Sequence, residues 1–244
     1  MNINNILNGE QYIRKFNDKN ILSSNIKFSI CSQVGGLESL LKLKEQNNDK
    51  KDICIICPHY DINIKSSNVL WSGGDTQSVG SGFVNKTDVN DVCENNQEYE
   101  YAAKREICEE LYMIPKEIKL CCDSTYMGTI KNKYGYKEKI IHSVKIYSVK
   151  INNCYNLKND DEIEIINKKD DIKYKRIGYI VWGTFAECYE YINKMDIYNK
   201  KNSDNIDGVA IVSLDKAIEM AQYAGNNFKE YRGINEYDSC VFEH

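Results

Sequence analysis

Apolar and polar residues alternate with several distinct periods along the 244-residue chain, and those periods predict a succession of strands and helices. Asn25 to Ser32 alternates as a strand does, and Leu37 to Lys44 carries leucines at the spacing of a short helix. Asp52 to Pro58, in which cysteines alternate with isoleucines, reads as a buried strand, and Ile62 to Trp71 as a further extended piece. Glycines then dominate at Gly73, Gly74, Gly80 and Gly82, followed by a polar loop from Asn85 to Asn96 and a helix from about Gln97 to Tyr112, with Pro115 closing that helix or starting the next turn. Lys119 to Ile130 and Glu138 to Ile151 are rich in β-branched and aromatic residues and flank a turn at Asn132 to Gly135, which predicts an antiparallel pair. A charged loop, Asn156 to Lys175, leads into a strand at Arg176 to Trp182 and an amphipathic helix at Phe185 to Met195. Asn199 to Asp207 reads as a surface loop, Gly208 to Leu214 as a short strand, and Asp215 as the cap of a helix running to about Ala224. The first 24 residues are polar, with Ile6, Leu7, Tyr12, Ile13 and Phe16 hinting at a short helix. They predict an N-terminal extension, residues 1–24, ahead of a single α/β domain over residues 25–244, since no internal repeat divides the chain.

Composition narrows the picture modestly. A net charge of −4 gives no general attraction to nucleic acid or membrane, although local basic patches could still follow a phosphate backbone. The ten cysteines are spread through strand-like and helix-like segments, with no secretory leader and no apolar run long enough to span a bilayer. A reducing, cytoplasmic setting is therefore expected, with no membrane partner. Cys54, Cys57 and His59, with Cys121 and Cys122 as partners, come nearest to a zinc site. A second clear Cys-x-x-Cys is missing, so the run is read first as a buried strand.

The densest chemistry lies in Arg105-Glu106-Ile107-Cys108-Glu109-Glu110-Leu111. On a helix, Glu106, Glu109 and Glu110 stand at i, i+3 and i+4 and so share one face. Like charges at that spacing repel, and a divalent cation held by their oxygens would remove the conflict. Ala103, Ile107, Leu111 and Ile114 follow an apolar period on an adjacent face, which predicts that the helix packs on a sheet with its acidic face outside the core.

This stretch resembles the second half of the Nudix box, G-x5-E-x7-R-E-U-x-E-E-x-G-U with U apolar, and matches its R-E-U-x-E-E core at every position from Arg105 to Glu110. The resemblance implies an α/β Nudix fold, a mixed β-sheet sandwiched between α-helices, here with an N-terminal extension and enlarged loops. It also implies hydrolysis of a diphosphate bond in a nucleoside diphosphate linked to another group, with Mg²⁺ or Mn²⁺ activating water and neutralising phosphate charge. By the same resemblance Glu106, Glu109 and Glu110 hold metal, a backbone carbonyl at Gly82 adds a ligand, and Arg105 orients a carboxylate. Arg105 could equally be an ordinary ion pair on a helix surface. The general base is open among Glu109, Glu162, Glu164, Glu187 and Glu190, with His142 as a base or substrate contact and Trp71, Tyr126 and Trp182 as stacking partners or core.

The chain departs from the family pattern twice. The first box glutamate falls on Gln97 and the first glycine on Asp91, which implies an insertion: Gly80 to Val84 then stands for the glycine segment, and Glu98 or Glu100 replaces the missing glutamate. Ser72-Gly73-Gly74 is the rival glycine segment. Tyr112 occupies the usual glycine position and disfavours positive φ, so the helix is expected to run on toward Pro115 or end another way. The substrate expected is of nucleotide type. Gly82-Phe83-Val84 faintly resembles members acting on inosine diphosphate or on RNA caps, and decapping would draw on Lys131, Lys133, Lys137 and Lys139 around the hairpin. A domain that binds nucleotide or protein without hydrolysis is the alternative of a different class, and a homodimer is left open.

Overall fold

The computed structural model describes residues 2–16, 19–24, 35–60, 65–66, 69–70, 75–89, 97–131, 134, 136–157, 171–194 and 206–231. In chain order these form α1 (Ile3–Leu7), β1 (Gln11–Lys15), β2 (Asn20–Ser23), α2 (Gly36–Glu45), β3 (Ile53–Tyr60), β4 (Lys65–Ser66), β5 (Val69–Leu70), β6 (Asp75–Thr76) and β7 (Gly80–Asn85). There follow α3 (Gln97–Leu111), β8 (Met113–Pro115), β9 (Lys119–Lys131), β10 (Lys137–Lys150), β11 (Cys154–Asn156), β12 (Asp171–Thr184), α4 (Phe185–Lys194), β13 (Gly208–Ser213) and α5 (Leu214–Tyr231). The protein is α/β, built on a mixed sheet. Among the described residues its strand order is β2-β1-β13-β3-β12-β10-β9, with β6 added to β3 and β7 to β12. β10 and β12 run parallel and the other pairs antiparallel.

Alternation along the strands divides the apolar residues between two layers. Cys54 and Ile56 of β3, Ile177 and Tyr179 of β12 and Val209 and Ile211 of β13 meet α3 and α4 on one face. Ile53, Ile55 and Cys57, Val144 and Ile146 of β10, and Ala210 and Val212 meet α2 and α5 on the other. The apolar run of β3 is thus explained by burial on both sides. Pro58 interrupts it without cost to the ladder: its carbonyl accepts from Gln77 N at 3.2 Å, so its nitrogen faces the gap between the part of β3 paired with β12 and the part paired with β6.

Several expectations are corrected. Tyr12, Ile13 and Phe16 do not continue a helix, because Gln11–Lys15 is a strand paired with β13 on one side and β2 on the other. Its polar members are satisfied inside the fold: Gln11 Oε1 accepts from Thr76 Oγ1, which accepts in turn from His59 Nδ1 at 2.8 Å, and Arg14 Nη1 donates to the carbonyl of Ile192. Ser213, not Asp215, caps α5, with its Oγ accepting from Lys216 N at 3.3 Å. Pro115 and Ile114 lie in β8, not at the end of α3, and Ile114 is exposed. The antiparallel pair expected after α3 is present as β9 and β10, with a shift of register between Ile146 and Tyr147. The strand expected at Asn25 to Ser32, the glycines at Gly73 and Gly74, and Trp71 lie outside the described residues, as do most of the loops expected at Asn156 to Lys175 and Asn199 to Asp207. Among the described residues no helix is long and apolar enough to cross a membrane.

Candidate functional site

α3 lies against β7 and β12, and two features of its sequence and one of the strand seat it there. Ala102 and Ala103 are fully buried and let the helix approach closely, while Tyr99, Ile107 and Leu111 fill the core beneath it. The strand beneath supplies the matching absence of bulk. A Cβ at Gly82 would overlap the Glu106 side chain, and one at Gly80 would overlap the Tyr179 ring. Gly82 and Glu106, named separately from the sequence, are therefore in direct apposition.

The acidic face points inward. Glu106, Glu109 and Glu110 are only 1, 5 and 3% exposed, which overturns the expectation that they stand outside the core. Burying carboxylates requires partners, and Arg105, its side chain 10% exposed, provides them for Glu106 and Glu109. Its Nη1 donates to Glu106 Oε1 at 2.8 Å and to Glu109 Oε2 at 3.1 Å. Nε and Nη2 reach Asp88 Oδ1 and Oδ2, each at 3.0 Å, a two-pronged contact, and Nη2 also donates to the Phe83 carbonyl at 2.8 Å. Burial works against the guanidinium charge, but the Asp88 contact and the charges of Glu106, Asp88 and Glu109 outweigh it and hold the Arg105 proton above its ordinary value. Arg105 is thus no surface ion pair. Glu110 takes different partners: Tyr179 Oη donates to its Oε2, and Tyr60 Oη lies 3.4 Å from its Oε1. Burial, then the Glu110 charge, raises the Tyr179 hydroxyl well above the usual tyrosine range, so it remains a donor.

Asp88 escaped the sequence reading, which placed it in the polar loop from Asn85 to Asn96 and gave it no role. Residues Lys86–Asp88 instead form a single 3-10 turn, closed by a capping box in which Asp88 Oδ2 accepts from Asn85 N at 2.7 Å. That turn delivers Asp88 to Arg105. The available signal was the spacing Asn85-x-x-Asp88 directly after the glycine strand. Glu98 and Glu100, the expected replacements for the missing box glutamate, go elsewhere: Glu98 pairs with Lys175 at 2.8 Å and Glu100 with Lys104 at 2.7 Å.

The remaining candidates disperse. Glu187 closes a capping box at the start of α4, accepting from Thr184 N at 2.7 Å, and Glu190 pairs with Lys194 on the surface, so neither reaches the cluster. Glu162, Glu164 and Lys133, and the side chains of Lys131, Lys137 and Lys139, lie outside the described residues. His142 and Tyr126 stack together on the sheet face turned away from α3, and Trp182, partly buried, packs against the core on that face. Cys54 and Cys57 are buried strand residues. Burial, then the charge of Asp52, pushes the Cys54 thiol up to about 12, and burial raises Cys57 as well, which opposes the thiolates zinc requires.

Among the described residues no three carboxylate, imidazole or thiol groups converge as a preformed metal cage. The donor set nonetheless suits a hard cation: carboxylate oxygens on one helix face, with the backbone of Gly82 held against Glu106 by the lack of a Cβ. Arg105 supplies one positive charge against four buried carboxylates, Asp88, Glu106, Glu109 and Glu110. Comparison with protein-family models, with curated proteins and with solved structures returned no match.

Proposed function

We propose that the chain is a Nudix-type hydrolase that cleaves a diphosphate bond in a nucleoside diphosphate derivative with the aid of Mg²⁺ or Mn²⁺. The observation that carries this reading is the apposition of Gly82 to Glu106 within the cluster that joins Arg105, Glu109 and Glu110. A sequence motif has thereby acquired a spatial counterpart from another part of the chain. Glu106, Glu109, Glu110 and the Gly82 carbonyl would hold the divalent ion, which lowers the pKa of bound water and screens the phosphates. Arg105 fixes the carboxylates Glu106 and Glu109 and anchors them to β7 through Phe83 and to the turn through Asp88. Tyr179 and Tyr60 orient Glu110. Of the general-base candidates, Glu109 alone among the described ones sits in the cluster, and we assign it the proton of the attacking water.

A second reading, a nucleotide-binding domain without hydrolysis, is favoured by one observation: the guanidinium of Arg105 already contacts two of the three carboxylates. One experiment separates the two. Purified protein with Mg²⁺ or Mn²⁺ is incubated with dinucleotides, nucleotide sugars, nucleoside diphosphates and capped RNA, and monophosphate products are measured. Hydrolysis of at least one class, abolished by Glu109→Gln and Glu110→Gln in folded protein, is expected. Absence of product across the panel would leave the binding reading, and release of a capped nucleotide from RNA alone would identify a decapping enzyme.

A further inference from the structure

The three carboxylates of α3 are not held alike, and the difference originates in β12. Glu106 and Glu109 each give one oxygen to Arg105. Glu110 instead gives its Oε2 to the hydroxyl of Tyr179, while Tyr60 Oη stands 3.4 Å from its Oε1, beyond the usual length of such a bond. Asp88 has both oxygens engaged, Oδ1 by Arg105 Nε and Oδ2 by Arg105 Nη2 and Asn85 N, so it has little to offer a cation.

Tyr179 cannot readily withdraw from Glu110. It is 1% exposed, and its strand is flanked by β10, where it pairs with Tyr147, and by β7, where it pairs with Gly80. Its ring lies so close over Gly80 that a Cβ there would overlap Cζ, Cε1 and Oη. The missing Cβ thus sets how near to β7 the hydroxyl sits, and close packing keeps it there. Tyr60 differs: it ends β3, is half-buried, and makes a longer contact that a cation can replace.

The count of oxygens decides which cation suits the cluster. Glu106, Glu109 and Glu110 each commit one oxygen to a protein donor, so each offers at most one more, and the Gly82 carbonyl brings the total to four at most. A dication and a donated proton repel when they share one carboxylate oxygen, which opposes chelation by both oxygens of Glu110. Mg²⁺ and Mn²⁺ accept single carboxylate oxygens, and Mg²⁺ keeps several of its waters, whereas Ca²⁺ takes about six to eight oxygens and often draws two from one carboxylate. We infer that Tyr179, seated by Gly80, sets the cation selectivity of the cluster: it withholds Oε2 of Glu110 and so favours Mg²⁺ or Mn²⁺ over Ca²⁺. This rests on the proposed divalent-ion chemistry of the carboxylates and names the side chain that decides which ion serves it. Tyr179 is a positioning residue, acting through Glu110 and touching neither ion nor substrate.

The test reads binding and not turnover, so the two proposals can fail separately. Mn²⁺ binding to the full chain is titrated by electron paramagnetic resonance, and Ca²⁺ binding by competition against it. The protein should hold Mn²⁺ at least about tenfold tighter than Ca²⁺. Tyr179→Phe, which keeps the ring on Gly80 and removes only the hydroxyl, should shrink that ratio by about tenfold, weakening Mn²⁺ while leaving Ca²⁺ binding equal or tighter. A tyrosine that merely supports the fold would weaken both ions alike. Infrared difference spectra of the unmutated protein add a readout that needs no variant to fold: the separation of the two carboxylate stretches should stay as wide with Ca²⁺ as with Mn²⁺, the mark of a cation on one oxygen. No preference for Mn²⁺ in the unmutated protein, an unchanged ratio or a uniform loss in Tyr179→Phe, or the narrow separation of a chelating carboxylate with Ca²⁺ would each overturn the role of Tyr179. Absence of Mn²⁺ binding altogether would remove the divalent-ion reading with it. Selective binding without hydrolysis of any substrate would retain the role of Tyr179 and remove the hydrolase.

Discussion

Tyr112 follows the last residue of α3 with φ of 55°, a left-handed backbone that ordinarily belongs to glycine. That conformation costs a residue with a Cβ about 1–2 kcal/mol. The side chain offsets it: Tyr112 is buried and meets Phe16 edge-to-face at 5.4 Å, while its N–H donates to Cys108 O and its carbonyl accepts from Leu157 N. The expectation that tyrosine would refuse this position therefore failed because it weighed the backbone without the ring. Tyr112→Gly and Tyr112→Ala should both destabilise the protein through the lost ring, but the glycine variant should be the more stable by about 1 kcal/mol in urea unfolding, the reverse of their usual order. At His142 the prediction concerns pH. Its folded pKa lies below the ordinary 6.5, through burial first and the Arg176 charge second, so the unfolded state takes up a proton earlier as pH falls. The His142 contribution to stability should be intact above pH 6.5 and decline below it. His142→Phe should flatten that part of the stability profile, and an unchanged slope would contradict the assignment.

At the scale of elements, one side chain ties α3 to β7 and the turn after it: of the five hydrogen bonds of Arg105, one reaches Phe83 of β7 and two reach Asp88 of the turn, while two stay within α3. Removing the carboxylate in Asp88→Ala leaves a largely shielded guanidinium short of its partner and should cost about 3 kcal/mol in chemical denaturation. Glu187→Ala, which opens the capping box of α4, should cost about 1 kcal/mol and leave any phosphohydrolase activity intact. The two variants show why some of the site could be read from sequence and some could not. Arg105, Glu106, Glu109 and Glu110 are neighbours on one helix, so their grouping follows from periodicity alone. Asp88 and Gly82 join them through a turn and a strand distant along the chain, and no local period encodes that pairing. Strand β1 was misread for a related reason: Gln11 and Arg14 interrupt its apolar pattern, and only the tertiary partners Thr76 and Ile192 make their burial tolerable.

For the whole molecule, the carboxylate cluster ties stability to cations. A divalent ion that binds the folded state alone stabilises it by mass action, by about 2.7 kcal/mol at one hundred times its dissociation constant. Mg²⁺ or Mn²⁺ should therefore raise the melting temperature of the protein, Glu110→Gln should remove most of that rise, and a zinc-selective chelator should leave the metal-free melting temperature unchanged. The layered architecture was legible because the long strands and amphipathic helices announce their periods; the order of strands was not, since it depends on which edges meet in space.

That order has a consequence for how the protein is made. β13 lies between β1 and β3, so the sheet receives its third strand from residues near position 210, long after the first two have been synthesised. At a translation rate of about 5–20 residues per second, β1 and β3 each spend roughly ten seconds with one unmatched edge. A nascent chain in that interval offers a ready template for pairing with another copy. Ribosome-tethered fragments ending before Gly208 should accordingly aggregate or engage chaperones, and fragments extended past Tyr231 should become protease-resistant.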